Sequence, residues 1–408
     1  MLYHLYEMQR AALAPARFAV DQTRALIRHP LNPVANLPTT RALAAGFELF
    51  EHTTRRYGKP HFDIASTMVD GREVAVEEDV VQRTEFCELR HFARNGVAPG
   101  RHPRLLVVAP MSGHFATLLR GTVRAMAPDH EVYITDWVDA REVPLARGTF
   151  DLDDYIDTLI GFLEYLGPGT HVMAVCQPSV PVLAAVSLMA MDDHPCAPAS
   201  MILMGGPIDT RVNPTKVNTY AESAPLAWFE RNVIMRVPWP NRGAMRRVYP
   251  GFLQLAGFMS MNLERHMDAH HDIFCHLVQG DGESAQAKQA FYEEYRSVMD
   301  LTAEFYLQTV VTVFQEHALP KGEMVSRGRA IEPAAITKTA LMTVEGEHDD
   351  ISGVGQTRAA HSLCTGLMKT LRLHYEQKGV GHYGIFNGGC WRDEIAPRVK
   401  AFIAQQTR

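Results

Sequence analysis

His171-Val172-Met173-Ala174-Val175-Cys176-Gln177-Pro178-Ser179-Val180-Pro181 joins a short apolar run to a helical one, with a single Cys at the joint. The run 172–175 reads as a strand buried on both faces, and apolar residues continue at helical density from 182 to 191. A nucleophile lifted on a sharp turn between a buried strand and a helix has this form. Taken alone, a Cys in an apolar run is more often a small core residue. Reading Cys176 as an attacking thiolate therefore depends on what the rest of the chain supplies.

Outward from this stretch the same unit repeats. Upstream, Arg104-Leu105-Leu106-Val107-Val108-Ala109-Pro110 is a second buried strand. It is followed by a loop, Met111-Ser112-Gly113-His114-Phe115, and a helix from about Ala116. Glu131-Val132-Tyr133-Ile134-Thr135-Asp136 is a third strand, and 151–166 an amphipathic helix that Asp151 or Asp153 can cap. Downstream, Ala199-Ser200-Met201-Ile202-Leu203-Met204-Gly205-Gly206 is a fourth. Strand and helix alternating in this way predict a mostly parallel sheet with helices on both faces. Charged, β-branched segments between 71 and 94 predict an edge hairpin.

The rhythm stops after Asp209 and resumes at Thr339-Ala340-Leu341-Met342-Thr343-Val344, with a last strand at 371–375 and a last helix at 391–405. The intervening segment is helical in pattern and rich in aromatics. It reads as a cap over an active site, with a plain second domain as the simpler alternative. At the other end, residues 1 to about 60 read as helix interrupted by Pro30 and Pro33. The expected organisation is a helical N-terminal extension (1–70), a core in two parts (71–209 and 337–408) and a helical cap (210–336).

Two motifs supply partners for Cys176. Val344-Glu345-Gly346-Glu347-His348-Asp349-Asp350-Ile351 puts acids after a late strand, and Gly379-Val380-Gly381-His382-Tyr383-Gly384 puts a His after the last one. The order nucleophile, acid, His is that of the α/β-hydrolase arrangement. His382 would take the thiol proton and later activate water. Asp349, preferred over its neighbour Asp350, would hold the imidazole. Backbone N–H groups of Gln177 and Met111 would receive the oxyanion. His114, in the loop assigned to the oxyanion hole, and the cap residues Trp228, Trp239 and Phe258 are candidates for substrate contact. Ser179, a turn into the helix, would be poorly presented as a nucleophile. His266, His270, His271 and His276 form a His-rich patch without metal-ligand spacing, so no metal and no bound cofactor are expected.

Composition bounds the function. With 408 residues, 46% of them apolar and 21% charged, the chain has the makeup of a soluble globular protein. Its net charge of −6 and lack of a basic run argue against nucleic acid. Six Cys without a CxxC pair read as free thiols in a reducing cytoplasm. The start, Met1-Leu2-Tyr3-His4-Leu5-Tyr6-Glu7, lacks signal-peptide character, and no stretch has the length of a membrane span.

The motifs Val175-Cys176-Gln177-Pro178-Ser179, Thr135-Asp136-Trp137, Glu345-Gly346-Glu347-His348-Asp349-Asp350-Ile351 and Gly379-Val380-Gly381-His382-Tyr383-Gly384, taken together, resemble the intracellular poly(3-hydroxybutyrate) depolymerases. The resemblance runs over nearly the whole chain. It implies an α/β-hydrolase fold, a Cys176–His382–Asp349 triad and a covalent thioester. It also implies ester cleavage in amorphous storage granules of the cytoplasm, with water or CoA as acyl acceptor. The polyester granule surface is the implied partner, and a homo-oligomer is left open. Polyester synthases share the Cys and the fold but usually keep glycines beside the Cys, where this chain has Ala174 and Pro178. A granule-binding protein without catalysis is the third reading.

Overall fold

Nine strands form the expected sheet in a computed structural model, which describes residues 2–29, 31–35, 37–261, 263–279 and 281–407. They are β1 (Ser66–Val69), β2 (Arg72–Arg83), β3 (Cys87–Arg94), β4 (Arg104–Val108), β5 (Glu131–Trp137), β6 (His171–Val175), β7 (Ser200–Met204), β8 (Ala340–Gly346) and β9 (Arg372–Gln377). Their spatial order is β1-β2-β3-β5-β4-β6-β7-β8-β9. All pairs from β5 to β9 are parallel, and β1 to β3 add an antiparallel edge. The chain winds outward from β4 to β5, then crosses back over β4 to β6. That reversal puts the loops after β4 and β6 side by side at the carboxyl ends of their strands, where open α/β sheets bind ligands. With its antiparallel edge and inserted cap, this is the α/β-hydrolase arrangement.

Strands β6, β7 and β8 are buried at every position, which is why they read as unbroken apolar runs. The sheet starts earlier than the sequence reading placed it. β1 lies within 1–70 and joins β2 through Asp70-Gly71, both at positive φ (50° and 76°), the turn that suits a two-residue hairpin. Four half-exposed residues carry too little alternation to register as a strand.

Helices α1 (Leu2–Ile27) and α2 (Pro38–Thr54) form the N-terminal extension, while α3 (Arg120–Met126), α4 (Leu152–Leu166) and α5 (Ser179–Met191) flank the sheet. Of the two prolines expected to interrupt the N-terminal helices, Pro30 lies outside the described residues. Asp151 caps α4 in a reciprocal box with Asp154, each side chain accepting the other's backbone N–H at 2.9 Å. α5 is buried on all sides from Ser179 to Met189. Each of its larger apolar side chains contributes about 1.5–3 kcal/mol. Leu183→Ala there costs about 2–5 kcal/mol.

The cap holds α6 (Lys216–Glu222), α7 (Leu226–Asn232), α8 (Gly251–Met261), α9 (Leu263–Gln279), α10 (Gly282–Arg296) and α11 (Ala303–Thr309). A three-stranded ribbon crosses it. The chain ends in α12 (Ala396–Gln406). The cap is fastened to the core by directed bonds. Arg246, almost fully buried, donates to the carbonyls of Val143 (3.0 Å), Pro144 (2.7 Å) and Gly148 (2.7 Å). Met299 N–H donates to the Gly113 carbonyl at 2.7 Å, and Thr302 Oγ1 to that of Phe150 at 2.6 Å. His266 and His270 serve packing: His266 Nδ1 meets the Tyr292 hydroxyl at 2.9 Å, and His270 Nε2 meets Arg296 at 2.9 Å.

Candidate active site

Cys176 stands between β6 and α5 with φ of 69°, a left-handed conformation that a non-glycine residue keeps only where the surroundings enforce it. Its N–H donates to the Met204 carbonyl at 2.7 Å, which ties the turn to the end of β7. Helix α5 starts at Ser179, so the thiol lies near the helix N-terminus. Ser179 itself is fully buried, which removes it as a rival nucleophile.

The turn lacks the glycines that usually flank such a nucleophile, and the space comes from the neighbouring strand. A Cβ on Gly206 would sit 2.1 Å from Ser179 Oγ and 2.9 Å from the Cys176 carbonyl. One on Gly205, at φ of 56°, would come within 2.6 Å of Ile385 and 3.1 Å of His382 Cε1. Sequence reasoning took Gly205-Gly206 as a strand end only. The signal was available as a glycine pair after a buried strand, beside a turn with none of its own.

The acid and the imidazole converge on this turn. His382 Nδ1 meets Asp349 Oδ2 at 2.7 Å, and both residues are buried. Asp349 Oδ1 accepts the N–H groups of Ile351 (2.9 Å) and Ser352 (2.8 Å), which fixes the carboxylate. Asp350 is exposed. His382 and Cys176 line the same cavity, and the Cys176 side chain acts on the imidazole. Burial pushes the imidazole down, but Asp349 and Cys176 outweigh it and hold His382 well above the usual histidine value. The arrangement therefore favours the imidazolium form of His382.

Met111 N–H points at the turn and donates to Gln177 Oε1 at 3.4 Å. The loop that presents it is pinned from beneath. Thr135 Oγ1 accepts Ala109 N–H at 2.9 Å, and Trp137 Nε1–H donates to the Ala109 carbonyl at 2.8 Å. Asp136 between them is fully buried and ion-paired with Arg90 and Lys59. The Thr135-Asp136-Trp137 motif thus supports the loop after β4.

Above the Cys lies a cavity of about 540 Å³, within the range of small-molecule sites. Its walls are mainly apolar and aromatic, with Phe258, Phe305, Tyr306 and Phe314 from the cap and Met111 and Tyr383 from the core. His114 and Phe258 line it, with rings 5.6 Å apart. His114 is buried and bonded to the Tyr295 carbonyl at 3.0 Å, and burial lowers its pKa to about 4. Trp228 and Trp239 do not line the cavity. Trp228 packs edge-on against Phe229, and Trp239 is 85% exposed on the outside of the cap. Aromatic count alone could not separate lining residues from outer ones. Tyr383, beside His382 in sequence, was missed as a cavity residue; burial and the adjacent Tyr295 keep its hydroxyl protonated.

Among the described residues, no group of His, Cys, Asp or Glu could hold a metal ion, and no helix is long and apolar enough to cross a membrane.

Residues 205–407 match the family described as PHB de-polymerase C-terminus. The chain belongs to this family. It is a carboxylic ester hydrolase, specifically a PHB depolymerase family member with the α/β-hydrolase fold. The matched region carries the cap, Asp349 and His382, and Cys176 lies ahead of it. No curated protein sequence matches the chain. Among solved structures it is similar to a thermophilic esterase from Thermogutta terrifontis (11% identity, 84% of this chain and 98% of that one, TM-score 0.41). It is also similar to the Bacillus subtilis carboxylesterase CesB (10%, 88% and 99%, TM-score 0.43). A third is the Paleococcus ferrophilus monoacylglycerol lipase (11%, 75% and 96%, TM-score 0.41). The fold assignment rests on the strand order, not on these likenesses.

Proposed function

We propose that this depolymerase cleaves the ester bonds of amorphous poly(3-hydroxybutyrate) granules inside the cell through a thioester on Cys176. The observation that carries the reading is the Asp349–His382 pair beside a thiol at a positive-φ turn, under an apolar cavity. The Cys176 thiolate attacks an ester carbonyl carbon and forms a C–S bond. The oxyanion is received by the N–H groups of Gln177 and Met111, the latter once the Gln177 side chain turns aside. The C–O bond then breaks, and the departing hydroxyl end of the polymer takes the proton of His382. Water gives a proton to His382 and attacks the thioester, the C–S bond breaks, and a 3-hydroxybutyrate end leaves. With CoA as acceptor the same steps deliver an acyl-CoA, its thiol replacing water.

The test is purified protein on amorphous polymer, with and without CoA, products resolved by mass. Release of 3-hydroxybutyrate or its oligomers, and acyl transfer onto Cys176 captured by rapid quench, are expected. Full release by Cys176→Ala would overturn the mechanism. Chain growth from hydroxyacyl-CoA would move the chain to the synthase reading. Granule binding without any product would leave a non-catalytic one.

A further inference from the structure

A second cavity, of about 220 Å³, lies where α1 passes the end of α2 and the start of α8. It shares no lining residue with the catalytic cavity. Five arginines line it, Arg10, Arg55, Arg56, Arg141 and Arg296, against one carboxylate, Asp300. Asp300 is already engaged. Its Oδ2 accepts from the Tyr3 hydroxyl at 2.6 Å, and its Oδ1 from Gly251 N–H at 2.9 Å.

Three of the arginines are paired with acids: Arg141 with Asp139 (3.0 Å), Arg56 with Glu7 (3.4 Å) and Arg55 with Glu293 and with Glu51 (3.8 Å). Arg10, Arg55 and Arg296 each keep a donor to spare. Arg10 Nη1 bonds the Tyr6 hydroxyl at 2.5 Å, and Arg296 bonds the Thr53 carbonyl (2.9 Å) and His270 (2.9 Å). That leaves Arg10 Nη2, Arg55 Nε and Arg296 Nε buried and without a hydrogen-bond partner among the described residues. A buried donor left unpaired costs about 1–3 kcal/mol. All three atoms are closed to solvent, so an occupant of the crevice pairs with them only as the guanidinium groups turn toward it.

The donors come from three separate elements, α1, the end of α2 and the end of α10. Donors on separate elements suit oxygens arranged tetrahedrally. A planar carboxylate is better matched by the fork of a single arginine. Aromatic rings back the guanidinium groups: Arg55 lies 4.4 Å over Tyr57, and Tyr6 stacks on Phe252 at 4.1 Å. Such walls limit hydration and strengthen the pull on an anion.

We propose that this crevice is a binding site for a phosphoryl anion, a phosphate or diphosphate that is free or carried on a larger molecule. The site also touches the catalytic machinery. Gly251, Phe252 and Leu255 of α8 line the crevice, and Gln254, Gly257 and Phe258 of the same helix line the catalytic cavity. An occupant that orders α8 therefore acts on the acyl-binding wall. The inference does not depend on which nucleophile or acceptor the catalytic site uses.

The experiment is calorimetric titration of the full chain with inorganic pyrophosphate and phosphate, acetate serving as the planar control. One pyrophosphate per chain is expected, with a raised Tm. Arg10→Gln and Arg55→Gln, both at partly exposed positions, should each weaken binding by about tenfold. Cys176→Ala should bind as the unaltered chain does. No binding of pyrophosphate or phosphate up to about 10 mM would overturn the site. So would unchanged binding in both arginine variants when circular dichroism shows them folded. Acetate binding as tightly as pyrophosphate would overturn the phosphoryl assignment. Vesicles containing phosphatidic acid separate the sources: co-sedimentation lost in the arginine variants supports a headgroup, and pyrophosphate binding without it supports a soluble anion.

Discussion

The core around Cys176 and the cap above it are held together by different means. In the core, β4, β6, β7 and β8 stack apolar residues on both faces, and α5 is buried all round. Position there follows from hydrophobic pattern, and loss of one side chain is spread over a dense environment. The cap has one buried arginine, a short ribbon and a few directed bonds holding aromatic helices over the cavity. In the proposed mechanism the core fixes where the reacting atoms are, and the cap fixes what surrounds them. Substitutions should divide along that line: chemistry lost without change in shape below, shape or affinity lost without change in chemistry above.

The largest effect should come from the acid. Asp349→Asn removes the charge facing His382 and permits the wrong tautomer, so kcat should fall by about 10³- to 10⁴-fold with the fold intact. Asp350→Asn, on the exposed neighbour, should stay within about threefold. Equal losses in the two, measured as release from a soluble 3-hydroxybutyrate oligomer, would break the assignment. Next is the cap's fastening. Arg246→Met leaves the carbonyls of Val143, Pro144 and Gly148 without their donor and should cost about 3–5 kcal/mol in denaturant unfolding. A loss under about 1 kcal/mol would mean that the cap is seated by its aromatics instead.

The junction between the two regions should be acid-sensitive. His114 sits in the core loop and bonds the cap at the Tyr295 carbonyl, with its pKa lowered by burial from 6.5 to about 4. Between those values the unfolded chain binds a proton that the folded chain refuses. Stability is therefore full above about pH 6.5 and falls as pH drops toward 4, by up to about 3 kcal/mol from this group. His171 and His361, also lowered to about 4, add in the same direction. His114→Asn keeps a donor for the carbonyl and should flatten the dependence in denaturant melts at pH 4 to 7. An unchanged slope would remove His114 from the account. Within the cavity, Phe258→Ala should raise KM by about three- to tenfold with kcat nearly kept, because the ring contributes apolar contact and no proton.

The same division explains what the sequence made legible. The strands of the core, the order of Cys176, Asp349 and His382, and the insertion between β7 and β8 all follow from periodicity and spacing, because burial on both faces leaves an unbroken apolar run. β1 escaped because Ser66–Val69 is short and half exposed, although Asp70-Gly71 carried its turn. The room for the turn at Cys176 comes from Gly205-Gly206 on another strand, and only strand order reveals that neighbour. In the cap, aromatic residues face inward and outward alike. Trp228 and Trp239 could not be told from Phe258, because the helices are short and the path between them is set by tertiary contacts such as those of Arg246.

Trp239 gives the smallest expected effect and the most direct test of the cap's outer face. Its side chain is 85% exposed and lines no wall of the catalytic cavity. Trp239→Ala should therefore change stability by less than about 0.5 kcal/mol and leave kcat/KM on a short soluble ester unaltered. An insoluble polymer poses a different question, because an enzyme must rest on its surface before a chain end or loop can enter the cavity. A flat indole contact with an apolar surface is worth about 1 kcal/mol, so adsorption to amorphous polymer should weaken roughly fivefold. Loss of adsorption with unchanged turnover of the soluble ester would assign the outer face of the cap to polymer contact. Unchanged adsorption would confine substrate contact to the cavity and its rim, with Phe258 and His114 the nearest candidates.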